Sequence, residues 1–267
     1  MLNAVLSLKR FEIQAKDGSL GTVSDFLFDD STWKIRWMVV DTGRWLNARK
    51  VLVHPSAVIS VACEAREVTV SLTKAQVEGS PGILQDRPVS QQMQNDLYTY
   101  YGLDPLWGGG LFGGGKVGAS EVGGGTGAIA SPLSEPAYFG TAAVRDTERG
   151  DSDLDEGDPH LRSIVEVTGY HVHATDGDIG HVQDFLIDNV SWDVRYLIIV
   201  TSNWWVGQHV LISPHAVKSV DRSNRHVRLD LTRERIKSSP SWNPSNVIDG
   251  EFGQRLHSHY DWPGSSS

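Results

Sequence analysis

The chain has 267 residues, a net charge of −9 and a single cysteine, Cys63. This length suits one large domain or two modest ones, and a lone cysteine excludes an internal disulfide, as fits a reducing cytoplasm. No apolar run reaches the roughly 18 to 20 residues that span a bilayer, and the N-terminus has no signal-peptide pattern. These features predict a cytoplasmic protein without a membrane span, while peripheral association with a membrane stays open.

Two stretches of the chain repeat each other, "DGSLGTVSDFLFDDSTW" from residue 17 and "DGDIGHVQDFLIDNVSW" from residue 176. At this offset of 159 positions the match continues without a gap from about residue 8 to residue 101. A short motif would not keep register over such a length, whereas a duplicated domain does. The sequence therefore predicts two similar domains, residues 1–106 and 161–267.

Each copy begins with a series of short strands. Val68, Val70 and Leu72 alternate with polar residues, which is typical of a half-buried strand. The runs "IRWMVVD" and "VRYLIIV" are continuously apolar after the arginine, as expected for central strands. Val23 and Phe26 are three positions apart, so we expect a β-bulge near residues 24–25 that returns both side chains to one face.

After the strands the apolar period lengthens to four, which is typical of an amphipathic helix. The apolar positions are Met93, Leu97 and Tyr101 in the first copy and Phe252, Leu256 and Tyr260 in the second. Ser90 and Asp249 are the expected N-caps. Five or six short strands and a covering helix, repeated twice, predict a mainly β protein of two small barrels in tandem.

The segment between the copies, residues 107–160, has a different composition. Its first 21 residues contain 11 glycines, and the whole segment has three basic and nine acidic side chains. Such a sequence cannot bury enough apolar surface to offset the entropy of ordering it. We expect a flexible linker, glycine-rich first and acidic afterwards, between the two domains.

Both copies resemble the PRC-barrel family. The matching segments are "DGSLGTVSDFLFDD", "IRWMVVDTGRWL" and "KVLVHPSAV" in the first copy and "DGDIGHVQDFLIDN", "VRYLIIVTSNWW" and "HVLISPHAV" in the second. The family includes the cytoplasmic part of the photosynthetic reaction-centre H subunit and the C-terminal domain of the ribosome maturation factor RimM. "GDPHLRSIVEVTGYHV" is also similar to the junction of two-barrel bacterial members. The resemblance implies the fold, and it implies function only weakly because this barrel serves unrelated systems.

Two charged positions recur in both copies, Asp25 with Arg36 and Asp184 with Arg195. They could form a recognition pair for a ligand or partner. An ion pair between neighbouring strands is the favoured interpretation, since opposite charges across strands are ordinary sheet stabilisers.

Three tryptophans are the candidate partner-binding residues. Trp45 and Trp204 occupy equivalent positions, and Trp205 replaces Leu46 in a predicted loop. Adjacent exposed aromatic side chains often anchor a partner. The same residues could instead cap a barrel end or contact the other barrel, and the sequence does not decide between these alternatives.

Histidine is concentrated in the second copy, where His171 and His173 share one strand face. They could bind a metal, but they replace Glu12 and Gln14, so a solvated face is the favoured interpretation. No catalytic or phosphate-binding motif is present in the sequence. We therefore predict no enzymatic activity, no cofactor and no metal.

The leading functional hypothesis is a non-enzymatic, protein-binding or scaffolding module. The partner would be another protein or the other barrel of the same chain, and a homo-oligomer is possible in principle. The nearly neutral flanks give no signal for nucleic-acid binding. By resemblance, the alternatives are an accessory subunit of a membrane electron-transfer complex, like the H subunit, and a ribosome or RNA-processing factor of the RimM type.

Overall fold

A computed structural model describes residues 2–47, 49–81, 89, 91–102, 158–201, 207–243, 248 and 250–262. We call residues 2–102 the first half and residues 158–262 the second half. The described chain is mainly β, with two separate seven-stranded sheets and short helices, which confirms the predicted fold class. Of the predicted flexible linker, all but residues 158–160 lies outside the described residues.

The two halves contain the same strands and α-helices in the same order. The first half contains β1 Leu2–Ala4, α1 Val5–Leu8, β2 Glu12–Ala15, β3 Gly18–Asp29, β4 Lys34–Asp41, a 3-10 helix Gly43–Leu46, β5 Lys50–Val53, a 3-10 helix Pro55–Ala57, β6 Val58–Ala62, β7 Glu67–Val70, α2 Lys74–Glu78 and α3 Gln91–Tyr101. The second half contains β8 Leu161–Ser163, α4 Ile164–Val167, β9 His171–Ala174, β10 Gly177–Asp188, β11 Val194–Thr201, β12 His209–Ile212, a 3-10 helix Pro214–Ala216, β13 Val217–Asp221, β14 His226–Leu229, α5 Arg233–Lys237 and α6 Gly250–Tyr260.

The strands of both sheets follow the same path. Their order is β5-β4-β3-β2-β7-β6 in the first sheet and β12-β11-β10-β9-β14-β13 in the second. The register of β3 against β4 shifts between Val23 and Asp25, and that of β10 against β11 shifts between Val182 and Asp184. These irregularities confirm the predicted bulge, and Val23 and Phe26 are both buried.

The seventh strand of each sheet comes from the other half of the chain. β1 pairs antiparallel with β10, and β8 pairs antiparallel with β3. The short helix that comes after each exchanged strand also packs against the other half, α1 on β10 and α4 on β3. The sequence predicts domains 1–106 and 161–267 and leaves open whether the two barrels pack on each other. In the structure each of these segments supplies one strand to the sheet of the other.

One hydrophobic core runs through both halves. At the junction the ring of Phe26 stacks on Trp192 with centroids 6.2 Å apart, and Phe28 lies 5.5 Å from Phe185. α3 and α6 cover outer faces of the sheets, where Leu97 and Leu256 are fully buried, so the helices predicted from the four-residue period are confirmed. The predicted N-caps Ser90 and Asp249 lie outside the described residues.

Two glycines of the repeated sequence are required by close backbone contacts. A Cβ atom at Gly21 would lie 2.0 Å from the carbonyl oxygen of Asp41, and one at Gly180 would lie 1.9 Å from that of Val200. No side chain fits at either position, because the neighbouring strand passes directly above it. The repeated glycine therefore serves the fold.

Candidate functional site at the junction of the two halves

Asp25 and Asp184 hold the exchanged segments in place. Each lies at the bulge of a long strand, β3 or β10. The backbone N–H of Val165 in α4 donates to Asp25 Oδ1 at 3.1 Å, and the N–H of Leu6 in α1 donates to Asp184 Oδ1 at 3.1 Å. Each carboxylate thus caps the first turn of a helix from the other half.

The two carboxylates differ in one hydrogen bond. The hydroxyl of Ser163 donates to Asp25 Oδ2, whereas the equivalent position in the first half is Ala4. Burial raises the pKa of both groups, to about 6 for Asp184, while the Ser163 hydrogen bond counteracts the effect of burial on the pKa of Asp25. The second carboxylate is therefore the more easily protonated one.

The structure corrects the ion-pair interpretation of these aspartates. The bulge places Asp25 opposite Val39 and Asp184 opposite Ile198, away from the recurrent arginines. The guanidinium of Arg36 lies 3.5 Å from a carboxylate oxygen of Asp29 instead. The two arginines and the two aspartates are therefore separate features of the fold.

A pseudo-twofold axis passes between Lys34 and Asp193, which are equivalent positions at the offset of 159. These residues form an antiparallel bridge, and Lys34 Nζ lies 2.7 Å from Asp193 Oδ1. On either side, the carbonyl oxygen of Trp33 accepts from the N–H of Val194 at 2.8 Å, and that of Trp192 accepts from the N–H of Ile35 at 2.9 Å. The repeated tryptophans therefore belong to the junction.

A cleft of about 600 Å³ opens beside this axis. One wall is the turn from Asp30 to Trp33 of the first half, and the other is formed by β11, the 3-10 helix Pro214–Ala216 and α6 of the second. The phenol of Tyr196 lies 3.0 Å from Nε2 of His257 at its floor. Because the strand exchange fixes the two halves, both walls hold their relative position.

The charges around the cleft are unevenly neutralised. Asp30 is bound by Arg162 at 2.9 Å, and Asp193 is bound by Lys34. Arg195 lies close enough to Asp188 to contribute to the lowered pKa of that carboxyl, but it is not held in a direct ion pair like that of Lys34 with Asp193. The guanidinium of Arg195 is therefore bound less directly than Lys34, and an acidic group in the cleft can compete with Asp188 for it.

The equivalent region of the first half is filled by larger side chains. Trp37, His54 and Tyr98 stand where the second half has Tyr196, Ser213 and His257. All three are buried, and the Trp37 ring lies 5.3 Å from that of His54 and 5.1 Å from that of Tyr98. Burial lowers the pKa of His54 to about 4, so this aromatic cluster is uncharged at neutral pH.

The aromatic cluster is also linked to the end of the predicted linker. The indole N–H of Trp37 donates to Gln94 Oε1 at 3.1 Å. The amide of Gln94 in turn donates to Asp158 Oδ2 at 2.7 Å. The same place on the fold thus holds an aromatic cluster in the first half and residues that line the cleft in the second.

Trp45 is the one described member of the three tryptophans predicted to bind a partner. It is 37% exposed, its indole N–H donates to the carbonyl oxygen of Leu20 at 2.6 Å, and Lys74 Nζ lies 5.6 Å from its ring. Trp204 and Trp205 lie outside the described residues. The structure does not bring Trp45 into the cleft lining.

The fold and the junction define a class, a mainly β chain with two barrel-like sheets. Comparison with protein families is more specific, because the model of the PRC-barrel domain matches residues 6–77. The first half therefore contains a PRC-barrel domain, in agreement with the sequence resemblance. No curated protein matches the chain. Within the described residues, every helix is too short or too polar to cross a membrane.

Proposed function

We propose that the chain is a non-enzymatic protein-binding module, in which two PRC-type barrels form one unit and bind a partner in the cleft at their junction. The PRC-barrel domain of the first half is compatible with this role, since such domains are often protein-interaction modules. The observation that carries the proposal is the cleft itself. Its walls come from both halves, and its floor and rim are polar.

The guanidinium of Arg195 indicates the chemistry of the partner. Arg195 lies in the cleft lining together with His215, whereas the two acidic residues there already have cationic partners. Arginine binds carboxylates through two parallel hydrogen bonds. The proposed partner is therefore a protein segment that carries an acidic side chain or a C-terminal carboxylate.

The experiment compares the proteins captured from native lysate by the full chain and by its variants. Arg195→Gln removes the guanidinium, and Tyr196→Trp/Ser213→His/His257→Tyr copies the filled first half into the second. Both variants are expected to lose at least tenfold of the partner that the wild type captures. Arg36→Gln is the matched control, since Asp29 already neutralises Arg36, and it should capture as the wild type does.

Thermal unfolding of each variant checks that loss of capture is not loss of folding. If both cleft variants fold and still capture every wild-type partner, the cleft is not the binding surface. If Arg36→Gln loses the partner as completely as Arg195→Gln does, the lost capture reflects the change in net charge and not the removal of an arginine from the cleft.

A further inference from the structure

Three histidines of the second sheet lie on two neighbouring strands. His171 and His173 are two positions apart on β9, with the fully buried Val172 between them, so both point outward. β14 runs parallel to β9 and places His226 directly beside His171. Strand geometry thus collects three imidazoles, from distant parts of the sequence, on one outer face.

The three rings are in contact or nearly so. The centroid of His226 lies 4.2 Å from that of His173 and 5.9 Å from that of His171. Two imidazoles that bind one ion at about 2.0–2.1 Å with tetrahedral geometry have centroids about 5 Å apart. The observed separations lie on either side of this value, so the rings must rotate to bring their nitrogens to one ion.

His173 is already oriented as a metal ligand would be. Its Nδ1 is paired with the carboxylate of Asp178, which directs the Nδ1 proton toward that carboxylate and fixes the orientation of the ring. The remaining nitrogen, Nε2, is buried and has no hydrogen-bond partner. In histidine metal sites, one ring nitrogen usually binds the ion while the other donates its proton to a carboxylate, which orients the ring.

We propose that His173, His226 and His171 form a binding site for one transition-metal ion of the zinc, nickel or copper class. Three imidazoles suit these ions, whereas calcium and magnesium require oxygen ligands. As the side chains stand, no group of three His, Cys, Asp or Glu residues in the described part of the chain can hold a metal ion, so the proposed site forms only when the rings reorient around the ion. The exposed His171 turns toward the other two when the ion binds, and the fourth position is left to water.

The first half shows that the fold does not require these histidines. At the equivalent positions it has Glu12, Gln14 and Glu67. These residues occupy the same strands in the same parallel register. A nitrogen-donor site is therefore a property of the second half alone, added to a surface that the scaffold leaves free.

The first test is calorimetric titration of the untagged, chelator-treated full chain with Zn²⁺ alone and with Ni²⁺ alone. The wild type is expected to bind one equivalent of ion. His173→Gln and His226→Gln should each weaken binding at least tenfold, and Asp178→Asn should weaken it by about 10–100-fold because the histidine loses its orientation. His215→Gln, at an exposed histidine outside the cluster, should bind as the wild type does.

Imidazole NMR spectra of the wild type make the test independent of any variant's folding. Zn²⁺ should shift the Nε2 resonance of His173 and a ring nitrogen of His226 first. Absence of stoichiometric binding overturns the proposal. So does an ion that shifts other histidines instead, or unchanged affinity in the folded His173→Gln and His226→Gln variants.

Discussion

The two halves of this chain have the same scaffold and differ at the sites where chemistry is possible. Their strands and α-helices correspond at an offset of 159 positions, including the exchanged strands β1 and β8. Their differences include exchanges of one apolar residue for another in the core, such as Met38 for Leu197, and changes of chemical type beside the cleft, where Trp37, His54 and Tyr98 are replaced by Tyr196, Ser213 and His257. Residues that recur therefore mark the fold, and residues that diverge in chemical type mark the candidate sites.

The pseudo-twofold axis shows how duplication allows the halves to specialise. In a homodimer of identical copies, a residue on the axis faces itself, because an isologous interface is self-complementary. Here the axis lies between Lys34 and Asp193, which attract one another. Pairing of two first halves would oppose two lysines, and pairing of two second halves would oppose two aspartates. The charges thus favour the arrangement within one chain.

The largest expected effect concerns the strand exchange. If a protease site is inserted between residues 107 and 157 and cleaved, the two fragments should remain together, because each supplies a strand and buried side chains to the other. Size-exclusion chromatography under native conditions checks this, with the uncleaved protein as control. If two folded fragments elute separately, the reciprocal exchange is contradicted, and residues 1–106 and 161–267 form independent domains.

The second prediction compares the two covering helices. Leu97→Ala and Leu256→Ala should each lower the free energy of unfolding by about 2–5 kcal/mol, since both leucines are fully buried and truncation leaves a cavity. Chemical denaturation measures the change. A loss below about 0.5 kcal/mol, the size typical of surface substitutions, would mean that the helix does not pack as described.

Local sequence patterns predicted the strands, bulges and helices because each of these elements is determined by a short stretch of consecutive residues. The strand exchange could not be predicted in this way. β1 and β8 have three residues each, too few to show a period, and their partners are far away in sequence. The incorrect Asp25–Arg36 ion pair has a related cause, because the partners of the Asp25 carboxylate are the hydroxyl of Ser163 and the N–H of Val165, which come from the other half of the chain.

The cleft was also invisible in the linear sequence. Its lining is divided among a turn, a strand, a 3-10 helix and a long helix, so no motif spans it. The divergence at Tyr196, Ser213 and His257 was the one available signal, and it acquires meaning only when these side chains are seen together. The His226 partner of the two β9 histidines was missed for the same reason.

The third prediction uses the different environments of the capping carboxylates. Because burial raises the folded-state pKa of Asp184 from 3.8 to about 6, the folded protein retains a proton that the unfolded chain has already lost. The free energy of unfolding should therefore fall as pH rises from about 4 to 6, by at most about 3 kcal/mol from this group. Asp184→Asn should remove this part of the slope in pH-dependent denaturation. An identical slope in wild type and variant would contradict it.

The fourth prediction transfers one hydroxyl between the halves. Ser163 caps α4 and donates to Asp25, whereas Ala4 gives α1 no side-chain cap. Ala4→Ser should add both interactions, stabilise the protein by about 0.5–2 kcal/mol and lower the pKa of Asp184. Thermal denaturation and carboxyl NMR titration measure the two effects. Ser163→Ala is the matched control and should act in the opposite direction on Asp25.

The smallest effect is expected at the axis itself. Lys34 and Asp193 are only partly exposed, but a single ion pair of this kind contributes about 0.2–1 kcal/mol. Lys34→Asp and Asp193→Lys should each be destabilising because they place like charges together, and the double variant, which exchanges the charges, should recover most of the loss. A double-mutant cycle measured by denaturation at low and high salt isolates this interaction. If the coupling energy between Lys34 and Asp193 is zero even at low salt, the two charges do not contribute to stability. The pairing of the two halves would then be determined by the exchanged strands and by the hydrogen bonds to the carbonyl oxygens of Trp33 and Trp192.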